Sequence, residues 1–550
     1  MISFVAVALS GYISALVIGL FAVGVVISWI SNFGEREQPT WLWNSIVLGV
    51  LALFVIDGIV SGDWLLAAIN FTCFILLGKL FNRRTAKDTF QIYLLSFLLF
   101  IASGVLNPGL SYAVVFPIYI VVLTLALLSL HLRHDLTDLR EKSERIHGPD
   151  IALRHEEALL ARGRLFRGRL FVGTAVLAIA AFLSSMVIFY LFPRLGFGFF
   201  VGKKRPGMSV AGFSDNVRLG SFGRIRNNYQ VVMRVELPDE KGPRRLRLRG
   251  MSFDTYTGRG WVKGTRRRWQ PRSVTRSGET LYLVGLRTSY DHRVQIYQEP
   301  LSSQVVFGEP KVVRVAVRDF REGMRDPNAP KILRDRSGDL FYKSPDSVAV
   351  SYTAYSDTIV PSVAELRKSK GVLPRTIVSR YTALPHMDGR IRQLAMAIVR
   401  GKETVYDRVV AIERHLKYNY RYSLRGGHDF RQPLVDFLFN KRYGHCEFFS
   451  TTMAVMLRQI GVPSRVVTGF YGGVWNRFGR YMAIRQNDAH AWVEVYFPGP
   501  GWVTFDPTPT GELLVPDESG TLGFMKSWLD ALQLRWFKWV IEYDLQRQIR

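Results

Sequence analysis

The chain has 550 residues, of which 48% are hydrophobic, and it carries a formal net charge of +27 at pH 7. This length suggests several domains rather than one. A charge this large would suit a nucleic-acid-binding protein, but no zinc-finger, RNA-binding or P-loop motif occurs. We therefore expect no nucleic-acid partner, and prefer attraction to anionic lipid, envelope polymers or acidic substrates.

Six apolar segments near the N-terminus are predicted to be transmembrane helices, because each approaches the length that crosses a bilayer. No Lys or Arg precedes the first segment, which argues against a cleaved signal peptide. The lipid bilayer is thus an expected partner, and residues 1–192 are predicted to form a six-helix transmembrane bundle. The segments cover residues 2–30, 41–60, 64–80, 89–106, 112–132 and 170–192.

The loop charges predict the orientation of these segments. The turn with Arg83, Arg84 and Lys87 is basic, and the loop of residues 133–169 is more so, whereas the turn at residues 107–109 carries no charge. Basic loops stay in the cytoplasm. The N-terminus and everything after Pro193 are therefore predicted to lie outside the cytoplasmic membrane.

Residues 193–360 are predicted to form a basic, β-rich extracytoplasmic domain. Short β-like runs such as 230–235, 245–249 and 312–317 recur there between turn signals. Residues 245–249 alternate Arg and Leu strictly, which predicts one buried and one charged face. The charged faces are most simply interpreted as solvated surface, with a role in binding the cell envelope as the alternative.

Helical patterns begin after residue 360, with apolar stripes in 390–399 and 404–416 and a short helix at 433–439. Asp388 is a candidate N-cap for the first. The tail, residues 513–550, contains an amphipathic pattern at 528–541 that is too short and too charged to span a bilayer. It could be an interfacial helix or a helix packed on the domain.

Cys446 is one of two cysteines, and the other, Cys73, lies in an apolar segment. The soluble part therefore has no partner for a disulfide and no cysteine-based metal site. Apolar residues after Cys446 recur at helical spacing up to Ile460, and Gly461 and Pro463 follow as stop signals. Cys446 is thus predicted in the first turn of a helix, where a thiolate is favoured. The alternative is a buried, unreactive thiol.

Two strands after this helix supply a base and a group to orient it. His490 lies in the alternating run 489–497, and Asp506 ends the next run, 502–506. A hairpin loop of three or five residues would place Asp506 opposite Trp492 and diagonal to His490, and we predict such an odd-length loop. His445, beside the cysteine, is a rival base.

These residues resemble the core of transglutaminase-like proteins over roughly residues 375–512. Six spans, LFPR at 191–194 and FDTYTGRGW at 253–261 further resemble the bacterial membrane-anchored subgroup typified by TgpA. In that subgroup a further span usually follows the enzyme domain, and the sequence up to Arg550 shows none. The matching core blocks are GHCEFFS at 444–450, LRQIGVPSRVVTG at 457–469, HAWVEV at 490–495 and WVTFDPTP at 502–509.

The resemblance implies a papain-like triad in an α+β core at residues 361–512. Cys446 would attack an amide carbonyl, His490 would transfer protons and Asp506 would hold the imidazole. The family activity is acyl transfer from a protein glutamine to an amine. In the membrane-anchored subgroup the enzyme domain faces the periplasm, at the inner membrane. No metal or cofactor is implied, and we see no EF-hand-like calcium loop. An AAA-type ATPase is a possible partner by resemblance alone.

Two other functions stay open. The same triad would serve a cysteine peptidase or amidase acting on envelope protein or peptidoglycan peptides, because water can replace the amine. A non-catalytic scaffold is the third candidate, and a full triad argues against it. The backbone N–H of Cys446 is the expected first oxyanion donor, while no second donor can be named.

Overall fold

The structure is a computed structural model, and the chain divides in it into two compact units, residues 1–201 with 532–550 and residues 202–531. The residues that it describes are 1–8, 13, 15–30, 40–61, 64–81, 85–106, 110–147, 168–191, 216–220, 228–240, 242–264, 268–276, 279–285, 289–299, 301, 304–318, 331–343, 350–424, 427–429, 431–509, 521–536 and 538.

The described part of the first unit consists mainly of apolar helices. Many of their leucines, isoleucines and valines are exposed, which is the pattern of helices that are apolar on all sides. The helices are α1 (Ile2–Ala8), α2 (Ala15–Ile30), α3 (Thr40–Ser61), α4 (Trp64–Phe81), α5 (Ala86–Leu106), α6 (Leu110–His147) and α7 (Gly168–Leu191).

Two helical stretches in the described residues, 86–104 and 114–135, are both long and apolar enough to cross a membrane, and four further apolar helices are shorter. The six-helix bundle therefore stays a prediction. The first predicted segment, 2–30, is not one described helix but two, α1 and α2.

The fifth apolar segment differs from the prediction at its end. Helix α6 continues past residue 132 to His147, so the start of the predicted basic loop is helical. His131 with Asp135 and His134 with Asp138 form i,i+4 pairs there. Such pairs support a helix, and Gly148-Pro149 is the first strong stop signal that follows them in the sequence. The rest of that loop, 148–167, lies outside the described residues.

Residues 216–356 are β-rich, as predicted. Their strands are β1 (Asn216–Arg218), β2 (Val231–Glu236), β3 (Leu246–Phe253), β4 (Thr255–Tyr256), β5 (Gly260–Val262), β6 (Arg268–Trp269), β7 (Arg272–Arg276), β8 (Glu279–Leu283), β9 (His292–Gln298), β10 (Val312–Arg318), β11 (Lys331–Asp335), β12 (Leu340–Lys343) and β13 (Val350–Ser356).

The elements after residue 360 begin with helices and continue mainly with strands, which agrees with the predicted α+β core. They are α8 (Val363–Lys368), α9 (Arg375–Tyr381), α10 (Gly389–Ile398), α11 (Val405–Asn419), β14 (Arg421–Tyr422), α12 (Pro433–Val435, continued by a π-helix at Asp436–Lys441), β15 (Tyr443–Gly444), α13 (Cys446–Gln459), β16 (Ser464–Gly472), β17 (Val474–Asn476), β18 (Tyr481–Arg485), β19 (Ala489–Phe497), β20 (Gly501–Phe505) and α14 (Thr521–Trp536).

The boundary expected near residue 360 does not separate two bodies. An eight-stranded sheet has the order β17-β18-β2-β9-β13-β10-β8-β7, and a four-stranded sheet has the order β20-β19-β16-β3. Both sheets contain strands from either side of residue 360, because β2 and β3 pair antiparallel with β18 and β16. This pairing satisfies backbone groups that a free edge strand would expose.

Helix α13 is the central helix of this unit. The residues from Cys446 to Arg458 are all buried. The apolar face is therefore packed, as predicted, and the opposite face of the helix is buried as well. Helices α10 and α11 and strands β16 and β19 pack against it. Gly461 has a φ of +79° directly after the C-cap, where a glycine avoids strain.

Helix α14 begins seven residues before the predicted tail helix. Asp530 accepts hydrogen bonds from Arg234 Nε at 3.1 Å and from the Tyr481 hydroxyl at 2.5 Å. The apolar side chains of Phe524, Met525, Trp528 and Leu529 are exposed. The helix thus packs on the eight-stranded sheet through a polar residue, and residues 539–550 lie outside the described part.

Candidate active site

Cys446 is the first residue of α13, as predicted, and its side chain is 1% exposed. His445 is the N-cap residue, and its carbonyl accepts from Phe448 N at 2.9 Å. The N–H groups of the first turn have no acceptor within a helix, and the helix dipole is positive at this end. The position therefore stabilises negative charge on a thiol.

His490 lies on the central strand β19, directly opposite Gly469 of β16, and its side chain is fully buried. A Cβ on Gly469 would lie 2.0 Å from the Leu248 carbonyl oxygen and 2.5 Å from the Trp492 ring. Glycine is therefore required for the close approach of β3 to β16 beside the histidine.

Asp506 directly follows β20, and the register of the β19–β20 hairpin places it next to His490. Val493 pairs with Phe505, so Asp506 is the next position, opposite Trp492, and three residues connect the strands. The predicted odd-length loop is thus confirmed. Asp506 Oδ2 lies 2.8 Å from His490 Nε2, which is hydrogen-bond distance.

The imidazole of His490 has a raised pKa. Burial by itself would lower it, but the charge and hydrogen bond of Asp506, followed by the nearby Cys446, raise the pKa of His490 to about 9. Nδ1, the other ring nitrogen, is buried and makes no hydrogen bond of normal geometry within the described residues. Nδ1 is therefore the atom available to the thiol, because Asp506 occupies Nε2.

Three neighbours hold Asp506 in addition to His490, two at its carboxylate and one at its backbone N–H. Thr508 N donates to Oδ1 at 3.1 Å, and Arg247 Nη2 lies 3.4 Å from Oδ2. Glu413 Oε1 accepts from the Asp506 backbone N at 3.1 Å. Burial would raise the pKa of Asp506, but His490 and then Arg247 keep it well below its usual range.

The three residues predicted from the sequence, Cys446, His490 and Asp506, thus lie together. The rival base His445 lies elsewhere, with Nδ1 3.8 Å from Glu447 Oε2 and its ring against Phe448. Glu447 in turn accepts from Gly220 N at 2.9 Å. His445 therefore contacts a different carboxylate from the one that orients His490.

Sequence reasoning missed Arg247. Its alternation with Leu246 and Leu248 predicted a solvated charged face, and this interpretation was wrong for β3. Arg247 contacts Asp506, and Arg249 forms ion pairs with Asp339 and Glu494 at 2.7 and 2.9 Å. Alternation shows that arginines share a face, but it does not show whether water or carboxylates cover that face.

The residues from the FDTYTGRGW stretch also reach the cysteine helix. Trp261 Nε1 donates to Thr451 Oγ1 at 3.0 Å, and Arg458 lies 4.8 Å over the Trp261 ring. Asp254 forms an ion pair with Arg380. In the described residues, no group of three or more His, Cys, Asp and Glu side chains is placed to hold a metal ion.

Comparison with known proteins gives two family matches. The model of the TgpA N-terminal domain matches residues 1–362, and the model of the transglutaminase-like superfamily matches residues 392–507. The first covers more than half of the chain, and the second contains Cys446, His490 and Asp506.

Two curated relatives are similar over part of their length. The uncharacterized protein YebA of Bacillus subtilis is 30% identical over 295 residues, which are 49% of this chain and 37% of that protein. A protein-glutamine gamma-glutamyltransferase of Pseudomonas aeruginosa is 26% identical over 340 residues, 60% of this chain and 46% of that protein. The chain thus spans less than half the length of either relative.

Among solved structures, the periplasmic domain of TgpA from Pseudomonas aeruginosa is similar at 24% identity and a TM-score of 0.42, covering 54% of this chain and 94% of that one. The family is shown by the two sequence-model matches and not by this structural similarity. Because one of them matches residues 1–362 and the other the region of the candidate site, the chain belongs to the TgpA family of transglutaminase-like proteins.

Proposed function

We propose that this protein is a membrane-anchored cysteine acyltransferase of the transglutaminase type. The observation that carries the proposal is that His490 lies beside Cys446 and within hydrogen-bond distance of Asp506, with the cysteine at a helix N-terminus. The glutamyltransferase relative supports the acyl donor, a glutamine side-chain amide, and the acceptor is a primary amine.

The first half-reaction forms a thioester. The Cys446 thiolate attacks the amide carbonyl, and protonated His490 gives its proton to the departing nitrogen, so ammonia leaves as the carbon–nitrogen bond breaks. Asp506 stabilises the imidazolium and keeps the ring oriented. The Cys446 backbone N–H, at the start of α13, donates to the oxyanion of the tetrahedral intermediate.

The second half-reaction transfers the acyl group. An amine attacks the thioester carbonyl, His490 takes the amine proton, and the Cys446 thiolate leaves. Water in place of the amine would give hydrolysis. The burial of Cys446 at 1% exposed and of His490 at 0% supports transfer, because a site that excludes water protects the thioester.

The proposed location is the cytoplasmic membrane, with the catalytic unit on the periplasmic side. The apolar helices with exposed leucines and valines and the match to the TgpA N-terminal model support anchoring. The basic stretch that begins in α6 supports the orientation under the positive-inside rule. A multi-pass arrangement of six spans remains part of the same proposal.

The test is incorporation of a labelled primary amine into a glutamine-containing protein by the full chain solubilised in detergent. Wild type is compared with Cys446→Ala, and Cys73→Ala is the matched control because it removes the other cysteine. We expect incorporation by wild type and the control, and a loss of roughly 1,000-fold or more in Cys446→Ala.

Other outcomes separate the alternatives. Release of ammonia or cleaved peptide without amine incorporation would favour an amidase or peptidase with the same three residues. No incorporation, together with a Cys446 that alkylates no faster than a free thiol, would favour a non-catalytic scaffold.

A further inference from the structure

Strand β3 supplies a cation to the candidate site from outside the transglutaminase match. Arg247 lies 145 residues before that match begins at residue 392. Its Nη2 atom is 3.4 Å from Asp506 Oδ2, the oxygen that lies 2.8 Å from His490 Nε2. One carboxylate oxygen therefore faces both the histidine and a cation from the β-rich region.

Aromatic rings hold the guanidinium of Arg247 in place. Arg247 is paired in register with Tyr471 on β16, and its guanidinium carbon lies 4.7 Å from the Tyr471 ring centre and 5.5 Å from that of Trp492. Tyr471 in turn lies 5.7 Å from the His490 ring. Cation–π contact restricts where the guanidinium can sit, although its side chain is 25% exposed.

The neighbouring arginines of the alternating run differ from Arg247. Arg249 is bound by Asp339 and Glu494, and Arg245 is exposed to solvent. Of these three, Arg247 is therefore the residue whose charge acts on Asp506.

We propose that Arg247 is a positioning residue, which holds the Asp506 carboxylate against His490 and thereby favours the thiolate–imidazolium pair of Cys446 and His490. This inference rests on the proposed function. Removing the guanidinium withdraws a positive charge that favours the Cys446 thiolate, and it loosens Asp506, which orients the imidazole. Ionisation of the Cys446 thiol beside protonated His490 should therefore require a higher pH.

The experiment measures the rate of Cys446 alkylation by iodoacetamide across about pH 4 to 9, the range in which thiol and imidazole titrate. The protein is the full chain in detergent with Cys73→Ala as the background. On this background the test variants are Arg247→Gln and Arg247→Lys, and the control is Arg245→Gln. Amine incorporation gives kcat and KM, and thermal unfolding reports whether each variant is folded.

We expect the acid inflection of alkylation to move to higher pH by about 0.5 to 1 unit in Arg247→Gln. Its kcat should fall on the order of tenfold with little change in KM, since a small misplacement of the orienting group affects the chemical step. Arg247→Lys should restore most of the inflection and part of kcat, because it keeps the charge without the planar fork. Arg245→Gln should match wild type.

Two results would overturn the inference. If the inflection is unchanged in Arg247→Gln, whatever the unfolding temperature of that variant, Arg247 has only a structural role. A raised KM with unchanged kcat and inflection would make Arg247 a substrate contact.

The alkylation measurement does not require catalysis, so it separates this inference from the proposed function. If wild-type Cys446 alkylates at low pH but incorporates no amine, the acyl-transfer proposal fails while the Arg247 comparison still decides the inference. If wild-type Cys446 ionises like a free cysteine, both fail.

Discussion

Two clusters of charged side chains share strands β3 and β19, and they differ in whether a member can exchange a proton with a neighbouring thiol. The site cluster consists of Arg247, His490 and Asp506. The ion-pair cluster consists of three cations and three carboxylates, namely Arg249, Lys263, Arg465, Asp335, Asp339 and Glu494.

The ion-pair cluster is internally compensated. Asp339 accepts from Arg249 Nη1 at 2.7 Å and from Ser252 N at 2.8 Å, and it also pairs with Lys263. Burial would raise the pKa of Asp339, but Lys263 and Arg249 hold it well below its usual range. Asp339 therefore stays ionised, which suits a structural role.

In the site cluster, by contrast, the pKa of His490 is raised to about 9, so a buried group keeps a proton that it can exchange with Cys446. Buried charge on a strand therefore does not by itself mark a functional site. The distinguishing feature of the site cluster is a titratable group beside a cysteine.

The largest expected effect comes from Asp506→Asn. The amide would donate to His490 Nε2, which places the ring proton on Nδ1, where the base must accept one. We expect amine incorporation to fall roughly 1,000- to 10,000-fold. Initial rates measure this loss, and thermal unfolding reports whether the variant is folded. The control is Asp239→Asn, because Asp239 belongs to an exposed ion pair. Retention of near-wild-type rates would remove Asp506 from the site cluster.

Asp339→Asn should act on stability instead. It leaves Arg249 and Lys263 with one counter-charge fewer in a buried setting, so we expect the free energy of unfolding to fall by about 3 to 5 kcal/mol. Unfolding in denaturant measures this.

Adding Lys263→Met to Asp339→Asn removes the excess charge and should recover part of the stability. In this double variant the acid inflection of Cys446 alkylation should match wild type. A shifted inflection would show that the two clusters are coupled rather than independent.

The smallest expected effect is a pH dependence from His490. Because folding raises its pKa from 6.5 to about 9, its stabilising contribution is complete below about 6.5 and is lost as pH rises through about 9. The difference in unfolding free energy between wild type and His490→Gln should shrink by at most about 3 kcal/mol over this window.

His415 provides a control, because its pKa is shifted in the opposite direction from that of His490. Burial, followed by the charge of Arg442, lowers the pKa of His415, so His415→Gln should change stability with the reverse pH slope. Equal slopes for the two histidine variants would mean that His490 is not held protonated by Asp506.

Much of the site followed from local sequence signals. The helix from Cys446 and its end at Gly461 depend on apolar spacing and on glycine, and the register of β19 and β20 depends on a three-residue turn. These features involve residues close in the chain, where few pairings compete. The N-cap at Asp388 was predictable for the same reason, and its side chain accepts from Arg390 N.

The shared sheets and the role of β3 were not predictable in this way. The contact between Arg247 and Asp506 joins residues 259 apart, and the alternation of arginine and leucine is compatible with either water or carboxylates on the charged face. Which strand pairs with β16 depends on a close approach that Gly469 permits, and a single glycine in a strand does not reveal its neighbour.

Local sequence patterns therefore suffice for the helix that begins at Cys446, for the strands of His490 and Asp506 and for the register of those strands, since turn chemistry and periodicity act over short distances. Only the folded structure shows that a strand from the β-rich region completes the sheet and brings Arg247 to Asp506. The physical reason is that long-range strand pairing is selected by packing of the whole core, which no local pattern encodes.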